Sequence, residues 1–284
     1  MNGPQLLSES AGRISSRMGG CVLGSHTVFR GHDLHRELKG MDWLELQVFG
    51  ITGRRFSAEQ LRVLHAIWVY TSYPDARIWN NRVAALSGTA RSTGALGMAA
   101  AVAVSEARIY GLGPCLAAYD FFALAHQSEP ASLQALVHEE LRLNRGIGGY
   151  GRPLVSEDER IGPMMALVRE LGLDQGPHLQ LAWRVDGVLR EGRWRLKMNY
   201  AALATALPMD MGFSRQEFQL YMAHVFLGGM APGFIEASER PEGTLFPLAC
   251  HHVRYEGQAK RSWRPATNDS TQNRAPGGAA HSGL

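Results

Sequence analysis

Helix-start signals recur along this chain, each followed by apolar residues at helical spacing, and that combination restricts it to a helical architecture. Ser57 with Gln60 forms a capping box ahead of Leu61, Val63, Leu64, Ile67, Trp68 and Tyr70. Ser128-Glu-Pro130 opens a segment with Leu133, Leu136, Val137 and Leu141 on one face. Ser156 with Glu159 predicts a helix carrying Met164, Met165, Leu167, Val168 and Leu171, ended by Gly172. Ser214 with Glu217 caps another, through Phe218, Leu220, Tyr221, Ala223 and Val225. The Ala-, Gly- and Ser-rich run from 83 to 107 suits helices packed backbone to backbone. Two-residue alternation is scarce, and 193–198 is the only fair strand candidate. The expectation is an all-α protein of roughly ten or more helices.

Composition narrows the function classes. The chain has 284 residues, 45% hydrophobic and 19% charged, with a formal net charge of +3. That excludes a disordered chain and a collagen-like one. The excess charge sits in Lys260, Arg261, Arg264 and Arg274 against Asp269, so the first 256 residues are balanced at 25 basic and 25 acidic side chains. A nucleic-acid footprint needs a basic excess on the folded part, so nucleic acid is not an expected partner. Cys21, Cys115 and Cys250 lack metal-ligand spacing, which argues against a zinc site and a disulfide framework. No apolar run approaches the ~18 residues of a membrane span, and the amino terminus lacks a signal-peptide pattern. A soluble, cytoplasmic protein is the default expectation.

Two glycine-rich loops interrupt the helices. Arg145-Gly-Ile-Gly-Gly-Tyr-Gly-Arg-Pro153 has the composition of a loop whose amides converge on an anion. By itself it reads first as a flexible inter-helix connection, since such loops are weak motifs. Ile109-Tyr-Gly-Leu-Gly-Pro114 alone reads as a connector.

The order of these pieces resembles the citrate synthase superfamily, particularly its short citryl-CoA lyase branch. Arg30-Gly-His-Asp-Leu34 with Trp43-Leu-Glu-Leu is similar to the opening "RGYD" element and its following helix. RVAALSGTARST (82–93), Ile109-Tyr-Gly and Gly113-Pro114 resemble the stretch leading to "GPLHGG". Gly149-Tyr-Gly151 with Asp158-Glu-Arg160 resembles "GFGHR…DPR". Leu196-Lys-Met-Asn-Tyr200 and the helices after it resemble "NVDFY" and the closing helices. The resemblance implies an all-helical citrate-synthase-like fold, dimeric, with a large domain from 13–112 and 196–256 and a small one from 113–195. Residues 1–12 are expected to be a flexible terminus and 257–284 a disordered tail.

In that family an aspartate takes a proton from an acetyl-CoA methyl, histidines handle the enolate and carbonyl oxygens, and arginines hold carboxylates. The residue types follow from the chemistry, because a thioester α-proton is weakly acidic and base and oxyanion donor must act together. This chain departs at each catalytic position. Asn199 stands at the aspartate and Leu116, after Cys115, at the "GPLHGG" histidine. Thr71-Ser-Tyr-Pro-Asp-Ala-Arg77 stands for "ADH", Gly151-Arg152-Pro153 for "GHR", and Cys250-His-His-Val-Arg254 for "RPR".

The resemblance therefore implies an acyl-CoA-handling enzyme, making or breaking a carbon–carbon bond beside a carboxylic (keto) acid with a rearranged site. Asp75 is then a replacement base, Asn199 an oxygen-polarising amide and Arg152 a catalytic cation. Gly146, Gly148, Gly149, Tyr150 and Gly151 meet a coenzyme A thioester, the expected cosubstrate. Arg77, Arg82, Arg160, His251 and Arg254 hold the acid, with no metal and a second copy of the chain as partner. The alternatives are a catalytically silent homologue acting as a dimeric sensor or partner subunit, and a different reaction on the same fold without CoA. Bland readings accompany these: a helix N-cap for Asp75, a helix-tying buried amide for Asn199, a local salt bridge for Arg160, and a small core residue for Cys115.

Overall fold

Side-chain capping starts five of the helices in the computed structural model, which describes residues 3–12, 15–152, 157–192, 194, 196–244, 250–259 and 261. Helices α1 (Gly3–Ser10), α2 (Trp43–Thr52), α3 (Ala58–Thr71), α4 (Trp79–Thr89), α5 (Gly94–Val104) and α6 (Gly113–His126) form the first half. They are followed by α7 (Leu133–Asn144), α8 (Ile161–Glu170), α9 (Pro177–Glu191), α10 (Tyr200–Asp210), α11 (Arg215–Met222) and α12 (Leu227–Glu239). Both predicted capping boxes are present: Ser57 with Gln60 starts α3, and Ser214 with Glu217 starts α11. In each, the serine hydroxyl accepts the fourth residue's amide and that residue's side chain accepts the serine's amide. The helix predicted from Ser156 instead begins at Ile161. Glu159 is turned away to a distant tyrosine, and Ser156 lies outside the described residues.

The chain contains a small sheet that periodicity did not reveal. Strands β1 (Gly19–Val22), β2 (His26–Phe29) and β3 (His32–Asp33) are antiparallel in the order β1-β2-β3. Phe29 pairs with His32 across Arg30 and Gly31, whose φ values of 49° and 87° are both left-handed, the pattern of a tight two-residue hairpin turn. Arg30 uses this turn to cap α2, its Nε donating to Gly50 O at 2.9 Å and its Nη2 to Ile51 O at 3.0 Å. The stretch 193–198 is not a strand among the described residues; Met198 forms a single bridge with Tyr150.

The main core surrounds α10, which carries no charge before Asp210 and is buried on almost every side. A helix apolar all round belongs in an interior, and α3, α6, α9 and α11 pack on it. A second cluster joins Ala84 of α4, Ala101 of α5 and Met230 of α12. The small residues there permit close backbone approach, as the sequence predicted: a Cβ on Gly88 would lie 2.4 Å from Phe234 O. Residues from 247 onward form a separate unit, whose described part is a single helical turn (Cys250–His252) and an exposed segment.

Candidate functional site

Three successive backbone amides fix the segment leading into α10, each held by a different element. Met198 N donates to Asp186 Oδ1 of α9 at 2.7 Å, Asn199 N to Gly149 O at 2.8 Å, and Tyr200 N to Asp158 Oδ2 at 2.9 Å. Asn199 is the N-cap of α10: its Oδ1 accepts from Ala201 N at 2.9 Å, while its Nδ2 donates to Gly151 O at 2.7 Å. Both side-chain polar atoms thus bind backbone, which is the helix-tying role.

The glycines opposite are explained largely by packing. A Cβ on Gly148 would lie 2.4 Å from Ala118 N, and one on Gly149 2.9 Å from Ala202 N. Gly149 and Gly151 also have φ of +85° and +86°. Gly146 alone has open space around it. Tyr150 is a core residue whose hydroxyl donates to Ala182 O at 2.7 Å, and burial raises its pKa well above that of a free phenol.

Charged residues 157–160 clasp three elements together. Lys197 Nζ meets Glu157 Oε1 at 2.8 Å. Arg160 directs Nε and Nη2 to the two oxygens of Asp158 at 2.8 and 2.7 Å, and its guanidinium carbon lies over the ring of Tyr73 (4.9 Å) and that of Tyr200 (4.7 Å). Arg152 Nη1 donates to Glu159 Oε2 and to Glu157 O, both at 2.7 Å. The Tyr73 hydroxyl donates to Glu159 Oε1. Burial raises Asp158, yet the Arg160 hydrogen bonds and charge and the amides of Tyr200 and Arg160 outweigh it, leaving the carboxyl below its ordinary value. Glu159 is held down at about 2, chiefly by the Tyr73 hydrogen bond. Tyr73 is pushed up to about 12 by burial and by that same bond.

The remaining predicted residues sit elsewhere or serve locally. Asp75 is not a helix N-cap, since α4 starts at Trp79 after Ile78. Its carboxylate is chelated by Arg77, with Nη2 to Oδ2 at 2.6 Å, and that bonding lowers its pKa. Asn81, 2% exposed, holds this turn through Nδ2 to the carbonyls of Tyr73 and Asp75. Arg82 is exposed on α4, with no bond to the cluster. His251 and Arg254 are exposed in the second unit, Arg254 facing Glu256 at 3.7 Å. Cys115 is buried, and burial drives its thiol up to about 12, so it is a core residue. A separate recess of about 160 Å³, with Gln60, Gly176, Leu207 and Asp210 in its walls, shares no residue with the cluster.

Sequence reasoning missed Tyr73, Glu159, Tyr200 and Asp186. Only Asp186 carried a readable signal, an acid on the buried stripe of Ala182, Val185 and Leu189.

Against solved structures, the chain superposes on citryl-CoA lyase from Hydrogenobacter thermophilus with a TM-score of 0.77 at 19% identity, covering 89% of this chain and 98% of that one. It has the citrate synthase fold. The same fold relates it to citrate synthase from Thermoplasma acidophilum, with a TM-score of 0.64 at 17% identity over 79% of this chain and 59% of that one. ATP citrate lyase from Methanosaeta concilii, solved with (3S)-citryl-CoA, gives 0.71 at 14% identity over 91% of this chain and 45% of that one. The chain therefore spans nearly the whole of the lyase but about half to three-fifths of the larger citrate synthase-fold enzymes. No protein-family profile and no curated protein sequence matches it.

Proposed function

We propose that this chain is a cytoplasmic, homodimeric protein that binds a carboxylic acid and a CoA thioester on the citrate synthase fold without performing Claisen-type proton transfer. The observation that carries this reading is Asn199. It stands where the family resemblance places the catalytic base, it is an amide, and both of its polar ends are bound to backbone.

The surrounding acids and phenols support it. General acid–base work needs groups that titrate near the working pH. Here Glu159 sits at about 2, Tyr73 at about 12, and Asp158 and Asp75 are both below their ordinary value. Asp75, the candidate replacement base, is neutralised by Arg77.

What remains suits holding ligands. Arg160 supplies the cation for the acid, and the 146–151 loop, packed on the start of α10, is the binding loop for the thioester. Structures sharing the fold were solved with carboxymethyl coenzyme A and oxaloacetate, and with citrate and coenzyme A. The dimer is supported by α5, which has no charged residue and buries only Gly97 and Ala101, leaving Leu96 67% exposed. Such a helix needs a cover, and a second copy supplies one.

Under this reading coenzyme A or acetyl-CoA at millimolar concentration raises the melting temperature by mass action. The wild type releases no thiol from acetyl-CoA with oxaloacetate. Thiol release by the wild type would overturn the silent reading; an unmoved melting temperature with both CoA and citrate would overturn the binding one.

Asn199→Asp is expected to lose about 1–3 kcal/mol, because a carboxylate oxygen then faces Gly151 O. That environment raises the new carboxyl's folded pKa, so the deficit is smallest at low pH and grows as pH rises through that value. Urea melts at pH 4.5 and 8 check the sign, and the opposite trend would show that the amide does not face the carbonyl in solution.

A further inference from the structure

We infer that the acid this site takes carries a single carboxylate. The inference rests on the ligand-binding reading above and concerns which acid fits it.

Every basic group of the cluster already has its own carboxylate. Arg160 pairs with Asp158 at 2.7 Å, Arg152 with Glu159 at 2.7 Å, Lys197 with Glu157 at 2.8 Å, and, in the adjoining turn, Arg77 with Asp75 at 2.6 Å. The cluster is therefore neutral as built. It offers no surplus positive potential to a dianion or trianion, unlike a site whose arginines face an empty recess.

Geometry sharpens the point. Arg160 has its Nε and Nη2 edge, the one that would grip a carboxylate through two parallel bonds, occupied by Asp158. Its guanidinium carbon also lies 4.9 Å from the centre of the Tyr73 ring and 4.7 Å from that of Tyr200. Nη1 is the one nitrogen of that guanidinium with no hydrogen-bond partner among the described residues, so an incoming carboxylate meets it through a single oxygen. The side chain is 20% exposed, which leaves that edge reachable.

A second carboxylate on the ligand would find every cation of the cluster already paired. It would lose water without gaining a cation. The cluster's other cations are both tied: Lys197 to Glu157, and Arg152 to Glu159, whose other oxygen is fixed by Tyr73. The two ends of Glu159 thus keep the second arginine out of ligand binding. Glu159 is the residue that sets the charge the site accepts.

Dissociation constants for pyruvate and lactate, with one carboxylate, malate, with two, and citrate, with three, test this at fixed ionic strength, with and without CoA. The expected result is that pyruvate or lactate binds at least about tenfold more tightly than malate or citrate. Glu159 is 60% exposed, so Glu159→Gln should leave the fold intact and free Arg152. That variant is expected to bind malate about tenfold more tightly than the wild type does, with the monocarboxylates little changed. Malate or citrate binding the wild type as tightly as lactate would overturn the inference while leaving the binding reading standing. So would a Glu159→Gln variant with unchanged malate affinity. If none of the four acids binds in either condition, the binding reading itself falls and the inference goes with it.

Discussion

Asp158→Asn is expected to destabilise the fold by about 3–5 kcal/mol at neutral pH, as measured by urea or thermal unfolding. The Asp158 side chain is fully buried and serves two structures at once. One oxygen takes Arg160 Nε and Arg160 N, while the other takes Arg160 Nη2 and Tyr200 N. Asparagine keeps the shape but turns one acceptor into a donor, facing either a guanidinium or the amide that starts α10. The largely buried Arg160 loses its counter-charge, and removing one partner of a buried pair costs far more than an exposed pair contributes. A loss below about 1 kcal/mol would show that the pair is hydrated in solution and not the clasp described here.

The same residue gives the variant a pH signature. Asp158 has a folded pKa below its unfolded value, so its contribution is fully present above an unfolded value of about 3.9 and is lost as pH falls through the lower folded one. The gap between wild type and Asp158→Asn is therefore flat above about pH 5 and narrows below about pH 4. A gap that widened on acidification would contradict the assignment of Asp158.

How much of this was legible in the sequence depends on how far apart the interacting groups lie. The capping boxes at Ser57 and Ser214 were readable because donor and acceptor are three residues apart, and the tight seam at Gly88 because small residues announce close approach. The order of helices and loops carried the fold. The β1–β3 sheet was not readable: its strands are two to four residues long, begin with two glycines and bury no side chain completely. The start of α8 was misplaced for a related reason. Glu159 has the spacing of a capping residue, but Tyr73, 86 positions away, takes it instead. Of the residues singled out, Arg152 and Arg160 each bond to the 157–159 segment, and Asn199 adjoins it where Tyr200 N meets Asp158. The local salt bridge read for Arg160 is there, to Asp158, but the partners of Asn199 at Gly149 and Gly151 and the ring of Tyr73 beside Arg160 reach them only through the tertiary fold. The ion pairs are local in sequence, and they decide whether an arginine is free for a ligand or already neutralised.

The glycines of the 145–153 loop allow the two readings of that loop to be separated residue by residue. Gly149→Ala is expected to cost about 3 kcal/mol or more. A left-handed φ of +85° costs an alanine roughly 1–2 kcal/mol, and its Cβ would stand 2.9 Å from the backbone N and Cα of Ala202 in α10. Those are atoms of the central helix and cannot yield, so the loop must move. Its carbonyl would then leave Asn199 N, which it now holds at 2.8 Å, and the approach of the loop to the cluster would loosen with it. Gly146→Ala, three residues earlier in the same loop, meets nothing within 4 Å and has no left-handed φ. There the substitution is expected to be neutral or stabilising by up to about 1 kcal/mol, through a less disordered unfolded chain. Equal effects at the two positions would mean that the loop is merely flexible and glycine-rich. A large cost confined to Gly149 identifies it as a packed joint against α10, in a loop whose Tyr150 and Gly151 amides are already donated to Ile147 O and Lys197 O.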